Sequence, residues 1–179
     1  MRMRKEVRMT EHSYRKKNRL INYDYSQNGA YFITICAEKR KKIFSEIVGG
    51  GVLDAPTTRL FAYGAVIARR IEEMNRVYGH IQTTKYVVMP NHIHLLVHID
   101  REETGSAAGT SRTPSPTSAL IPQYVSTLKR MCNKEIGKNI WQRSYHDRVI
   151  RSDAEYDMIW EYIDTNPLRW ELDCFYTEE

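Results

Sequence analysis

The sequence predicts an α+β fold of the ferredoxin-like (split βαβ, RRM-like) kind: one antiparallel sheet, helices on one face, and a further helix at the C-terminal end. Three observations carry this. Apolar periodicity runs strand, helix, strand, strand, helix, strand and then helix, once an early hairpin is set aside. The two middle strands are separated only by Pro90-Asn91, a tight-turn pair. The 179 residues suffice for one cored domain and not comfortably for two.

Residues 1–20 form a basic N-terminal arm, and 21–179 read as a single domain. Ala30–Ala37, "AYFITICA", mixes β-branched and aromatic residues after the turn signal "SQNG", which is a strand pattern. "KIFSEIVGGGVLD" suggests a short hairpin closed by Gly49, Gly50 and Gly51. After "APTT", Leu60, Gly64, Ile67, Ile71 and Met74 fall on one helical face running to about Tyr78. "KYVVMPNHIHLLVHI" cannot be one central strand, because Pro90 has no N–H for the ladder. A hairpin of Lys85–Met89 and His92–Ile99 is expected instead. Residues 101–117 lack periodicity and are rich in Gly, Ser, Thr and Pro, the composition of a flexible insertion. Helical spacing resumes at Tyr124, Leu128, Met131 and Ile136, and "IWQRSYHDRVI" returns to a strand. Ser152 and Glu155 form a capping box for a last helix with the stripe Tyr156, Ile159, Trp160 and Ile163, which Asn166-Pro167 stops.

Composition excludes some classes. No apolar run is long enough to span a bilayer, and the charged start lacks a secretory core. Cys36, Cys132 and Cys174 are far apart, which suits free thiols in a reducing cytoplasm. The net charge of +5 is uneven. Arg2, Arg4, Lys5, Arg8, Arg15, Lys16, Lys17 and Arg19 face only Glu6 and Glu11 in the arm, which therefore holds the whole excess. Such an arm suits a polyanion, through phosphate neutralisation. Charge alone fits a solvated tail equally well.

The histidines carry the sharper question. Alternation puts His92, His94, Leu96 and His98 on one strand face and Ile93, Leu95, Val97 and Ile99 on the other. The second set is a complete core-facing row, so the histidines are expected on the opposite face, partly exposed. Two imidazoles at i and i+2 can bind one divalent cation, but a bare H-x-H more often marks polar residues on an open sheet. A metal site needs a third ligand. Tyr162 and Asn166, four apart on the last helix, flank its apolar stripe and can face one point together. On spacing alone the plainer account fits them somewhat better: a half-buried aromatic and a helix-end residue before proline.

Three stretches in order, "VVMPNHIHLLV", "WQRSYHDRVIRS" and "EYIDTNPLRW", resemble the single-tyrosine HUH transposases, specifically the REP-associated tyrosine transposase branch. The likeness extends from "NYDYSQNGAYFITICAEKR" through "NPLRW". It implies that His92 and His94 hold a divalent metal, that Asn166 completes the site where related insertion-sequence enzymes have glutamine, and that Tyr162 is the nucleophile. His98 matches no family role. The implied cofactor is Mg²⁺ or Mn²⁺, with no nucleotide cofactor, because a phosphotyrosine keeps the energy of the broken bond. The implied partner is single-stranded or hairpin DNA at the nucleoid, handled by a monomer, with a homodimer as the alternative. In this chain the candidate DNA contacts are Arg15, Lys16, Lys17 and Arg19 in the arm, with Lys129, Arg130 and Arg143 beyond it. Each is equally well a solvated charge. The rival function is a non-catalytic nucleic-acid-binding module, or a decayed transposase, on the same sheet. A replication-type HUH nickase is a third option, but lacks the "WQRSY … YIDTNP" ending.

Overall fold

The structure, a computed structural model, describes residues 23–50, 55–101 and 119–177. In chain order the elements are β1 (Gly29–Cys36), β2 (Ser45–Val48), β3 (Thr57–Leu60), α1 (Ala62–Val77), β4 (Ile81–Val88), β5 (His92–Ile99), α2 (Leu120–Ile136), β6 (His146–Val149) and α3 (Asp153–Thr165). The main sheet has the order β4-β5-β1-β6, and every neighbouring pair is antiparallel. This is the order expected of a ferredoxin-like arrangement, and the α+β class stands.

Strand alternation divides the core in two. Ile33, Ile35, Ile93, Leu95, Val97 and Ile99 point to the face covered by α1 and α2, where Ile67, Ile71, Met74, Tyr124 and Leu128 meet them. On the opposite face Ala30, Val87 and Leu96 pack against Ile159 and Ile163 of α3 and against Trp170. The helices α1 and α2 thus share one face, and α3 closes the other.

Local chemistry fixes each helix. Gly64 lets α1 lie against the β1–β2 connection, because a Cβ there would collide with the Phe44 carbonyl. That same carbonyl accepts the Phe61 N–H at 2.9 Å just before the helix. Gly137, at φ +80°, closes α2 by donating its N–H to Asn133 O at 2.9 Å. Ser152 Oγ caps α3 by accepting from Glu155 N at 3.2 Å, while the Glu155 carboxylate accepts from Arg151 N at 2.9 Å. Lys85 of β4 pairs with Asp164 at 2.6 Å and lies over the Trp160 ring, which fixes the far end of α3.

Two expectations change. The early hairpin is real, but its second strand is Thr57–Leu60 rather than the residues directly after the glycines. Leu60 therefore belongs to β3, pairs with Ser45, and is not on the helical stripe. Of the three histidines only His98 is exposed as expected: His92 is 0 % and His94 1 % accessible. The cause is the C-terminal cover of α3 and the segment after it, which sheet alternation does not report. The basic arm, with Arg15, Lys16, Lys17 and Arg19, and nearly all of the 101–117 insertion lie outside the described residues.

Candidate active site

β5 opens the site. The turn at Pro90-Asn91 delivers His92 as the first residue of the strand, and two residues on His94 points the same way. Their Nε2 atoms converge to 2.9 Å. Each Nδ1 is engaged behind: His92 with Asn91 Oδ1 at 2.9 Å, and His94 with Thr34 Oγ1 of the adjacent strand at 2.8 Å. Asn91 Nδ2 donates to Phe175 O at 2.8 Å, so its Oδ1 is the atom facing His92 and must accept. His92 therefore carries its proton on Nδ1 and presents a bare Nε2. Thr34 can donate or accept, so His94 is free to do the same.

α3 supplies the other wall. With Ile159 and Ile163 buried, Tyr162 and Asn166 flank the apolar stripe, Tyr162 reaching His94 and Asn166 reaching Asp173 beside the pair. The Tyr162 hydroxyl lies 3.3 Å from His94 Nε2, and its ring packs edge-on to Phe32, which in turn stacks on His94. Sequence reasoning named all four of these residues, and the structure brings them together within one chain.

It also adds residues that the sequence did not reveal. Asp173 Oδ2 accepts from Tyr162 at 3.1 Å and from Asn166 Nδ2 at 2.9 Å, and lies 3.9 Å from both Nε2 atoms. Its Oδ1 accepts from Phe175 N at 2.7 Å. Phe175 covers the histidine rings, at 4.8 Å from His92 and 6.1 Å from His94. Arg40 holds this segment from outside, over the Phe175 ring and on Cys174 O. Lys42 sits over Tyr176. "ELDCFYT" has no periodicity to expose its role. Thr34 was more accessible: it is the one hydroxyl on the histidine-facing row of β1.

Burial acts on the titratable groups in opposite senses. It pushes both imidazoles below their ordinary value, for His92 with the help of neighbouring His94, while Asp173 opposes it; both rings are neutral at neutral pH. Burial, and then the Asp173 charge, raise the Tyr162 phenol well above its ordinary value. Asp173 itself goes the other way. Burial works to raise it, but facing His94, the Phe175 amide and Asn166 together hold its carboxyl below the usual carboxylate range.

The residues fit a divalent cation on three counts. Neutral imidazoles with converging Nε2 atoms are the form that ligates, His94 carrying its proton on Nδ1 toward Thr34 when it does so. Two nitrogens at right angles about an ion, each about 2.1 Å away, stand about 3.0 Å apart, close to the separation seen here. Asn166 Oδ1 is buried without a hydrogen-bond partner, an orphaned acceptor on the amide whose Nδ2 reaches Asp173. Among the described residues, the ligand atoms of His92, His94 and Asp173 also lie within 4.8 Å of one another.

The remaining candidates lie elsewhere. Lys129, Arg130 and Arg143 line a groove between α2 and the approach to β6. There Lys129 donates to Gln142 O at 2.8 Å and Ser144 O at 3.0 Å, and burial lowers its ammonium to about 8. It clamps the loop, whereas Arg130 and Arg143 are exposed. His98 is exposed on β5 beside His80 and Gln82, away from the pair. Among the described residues no helix is long and apolar enough to cross a membrane.

Comparison with known proteins bears on this geometry. The model of the IS200-like transposases matches residues 25–166. An uncharacterized protein of Haemophilus influenzae is 28 % identical over 92 % of this chain and 94 % of its own length. A second protein of that organism, whose name assigns it to the REP-associated tyrosine transposases, is 22 % identical over 84 % of this chain and 77 % of its own. Among solved structures, a REP-associated tyrosine transposase bound to a REP hairpin superimposes with a TM-score of 0.56 at 18 % identity. That match covers 80 % of this chain and 68 % of the other, and it shows a shared fold.

Proposed function

The chain belongs to the IS200-like transposases, and from that premise we propose that it cuts and rejoins single-stranded DNA through Tyr162, beside a divalent cation held by His92, His94 and Asn166. The observation that carries this reading is the Tyr162 hydroxyl 3.3 Å from His94 Nε2, where the two histidine Nε2 atoms converge to 2.9 Å. A decayed or purely binding module has no reason to keep a half-buried phenol against two buried imidazoles whose Nε2 atoms converge.

A bound Mg²⁺ or Mn²⁺ would supply charge neutralisation and orientation to the scissile phosphate. Thr34 and Asn91 hold the two rings in register by their Nδ1 atoms, as outer partners of ligating histidines do. Phe32 and the α3 backbone fix the phenol. Tyr162 Oη attacks phosphorus, the P–O3′ bond breaks, the O3′ leaves as a hydroxyl, and a 5′-phosphotyrosine remains. A different 3′-hydroxyl reverses the step and completes strand transfer. The phenol proton is released as the Oη–P bond forms and the departing O3′ takes one up, so the step consumes no net proton.

Access sets a condition. With both histidines and Asn166 almost wholly buried, a phosphodiester reaches Tyr162 only when the 173–176 segment lifts. Hairpin-forming repeat DNA is the proposed substrate, supported by the name of one relative and by the REP hairpin in the solved structure of the same fold.

The test is a denaturation-resistant protein–DNA adduct formed with labelled hairpin oligonucleotides and Mn²⁺. The adduct is expected to vanish in Tyr162→Phe, in excess chelator, and in a His92→Ala/His94→Ala variant. An adduct that survives Tyr162→Phe refutes the nucleophile, and one that survives chelator refutes the metal role.

A further inference from the structure

The connection between β1 and β2 holds two consecutive residues in the left-handed region, Lys39 at φ 55° and Arg40 at φ 54°. Neither is glycine, so the conformation is disfavoured at both and something must hold it. Backbone hydrogen bonds do so. Ala37 N donates to Asn91 O at 2.8 Å and Phe44 N to Pro90 O at 3.0 Å, while Arg40 N donates to Ala37 O at 3.0 Å. The connection is therefore built on the same Pro90-Asn91 turn that delivers His92. Its strained residue aims a guanidinium at the cover of the site. The half-buried Arg40 head group lies 5.1 Å from the centre of the Phe175 ring and donates to Cys174 O at 3.3 Å. That same ring rests on His92, 4.8 Å between centres. The Arg40 charge is also felt at His92, where it adds to burial and His94 in disfavouring the imidazolium. Tethering the cover does not require an arginine, since Lys42 holds the same segment by lying 5.4 Å from the Tyr176 ring. Among the described residues Arg40 has no carboxylate partner, whereas Arg59 pairs with Glu46, Arg148 with Glu155, and Arg69 and Arg70 with Glu73.

We propose, resting on the transposase reading, that Arg40 is a further catalytic residue, which holds the scissile phosphodiester. When the 173–176 segment lifts, the guanidinium exchanges the Cys174 carbonyl and the Phe175 face for two non-bridging oxygens of the phosphate. Its planar fork of N–H donors matches that pair of oxygens, and such charge-assisted bonds are stronger than those it gives up. The position follows from the ring it now touches. Phe175 packs on both Arg40 and His92, so its departure leaves a space with a guanidinium on one side and the imidazoles on the other. As the Tyr162 Oη–P bond forms and the P–O3′ bond breaks, negative charge on the non-bridging oxygens rises. A cation already fixed beside them binds that state more strongly than the resting diester. Arg40 stays protonated throughout and transfers neither proton nor electron. The stitched backbone sets it apart from a surface arginine that must be ordered on binding: the left-handed turn holds it in place beforehand.

Two measurements on the full chain test this. In the first, protein carrying Tyr162→Phe binds oligothymidylate in excess chelator over a range of salt, so neither cleavage nor metal enters. Adding Arg40→Gln is expected to flatten the log K against log salt slope by about 0.7, the value of one single-strand phosphate contact, and Arg40→Lys to keep the parent slope. In the second, adduct formation with a labelled hairpin oligonucleotide and Mn²⁺ is timed at saturating DNA. Arg40→Gln is expected to slow it by about 10²–10³-fold, with Arg40→Lys recovering part of the loss. Lys42→Gln, which loosens the same segment, should form adduct at least as fast as the parent. An arginine that only tethers the segment predicts the opposite sign, with Arg40→Gln behaving as Lys42→Gln does. That result, or an unchanged salt slope, overturns the inference. If the parent itself forms no adduct, the catalytic reading fails on its own, and the slope still decides whether Arg40 takes a phosphate.

Discussion

Thr34→Val tests whether the site is organised for a metal, because it alters a residue that no metal would touch. The side chain is 3 % exposed, and valine replaces its hydroxyl with a methyl of nearly equal size. One contact is lost, the 2.8 Å hydrogen bond to His94 Nδ1. When His94 ligates through Nε2, its Nδ1 carries a proton, and Thr34 is the acceptor that the structure provides. Leaving that buried donor unpaired costs about 1–3 kcal/mol, and outer partners of ligating histidines are worth about 10–100-fold in metal affinity. The assay is titration of the full chain with Mn²⁺, followed by calorimetry and by the shift in unfolding free energy. At a metal concentration of about 100 times Kd the parent gains about 2.7 kcal/mol, and a tenfold weaker variant gains about 1.4 kcal/mol at the same concentration. Thr34→Ser keeps the hydroxyl and is expected to bind within a few-fold of the parent. Equal Mn²⁺ affinity in the parent and Thr34→Val would refute the reasoning. So would an equal loss in Thr34→Ser, which would trace the effect to packing.

Four further outcomes are expected. Asp173→Asn removes the charge that, after burial, raises the Tyr162 phenol, so the alkaline limb of the cleavage pH profile should move to lower pH; an unmoved limb counts against that role for Asp173. The Asp173 carboxyl is depressed in the folded chain, so its contribution is complete above about pH 4, the unfolded value, and is lost as pH falls through the folded value. Trp170 fluorescence should therefore hold from neutral pH down to about 4 and change only below it. Mixing Tyr162→Phe with His92→Ala/His94→Ala should restore no adduct, because nucleophile and histidines meet within one chain; recovered activity would mean that subunits exchange α3. Gly64→Ala forces a Cβ onto the Phe44 carbonyl and should cost about 1–3 kcal/mol in denaturant unfolding, without changing Mn²⁺ affinity per folded molecule.

What the sequence revealed and hid follows from what patterns encode. Pro90 made the hairpin unavoidable, and period-two alternation then placed His92 and His94 on one face. Helical spacing placed Tyr162 and Asn166 at the margin of the α3 stripe, and the structure keeps them there. Thr57–Leu60 was missed because "TTRL" is a short, largely exposed strand, with none of the alternation that burial imposes. The cover over the histidines was missed for a different reason. Alternation says which face a side chain occupies but not what lies on that face. Asp173 and Phe175 come from an unpatterned segment that only tertiary packing brings over β5. Lys129 could not be told from Arg130 by composition, since only the loop carbonyls of Gln142 and Ser144 distinguish a clamp from an exposed charge.

One physical cause has two opposite effects at this site. Closing the sheet face with α3 and the 173–176 segment removes water from His92, His94 and Tyr162 together. For an imidazole this favours the neutral ring, which is the ligating form, so the histidines are prepared without any rearrangement. For a phenol it also favours the neutral form, which is the unreactive one, and the adjacent Asp173 carboxylate adds to the effect. Burial first, and then the negative charge beside it, keep the proton on Tyr162. The segment that blocks the phosphodiester is also the one that supplies this negative charge, through Asp173 Oδ2 on the phenol at 3.1 Å. On the proposed reading, lifting it opens the path for DNA and removes both the cover and the charge that raise the Tyr162 phenol, so access and activation are coupled.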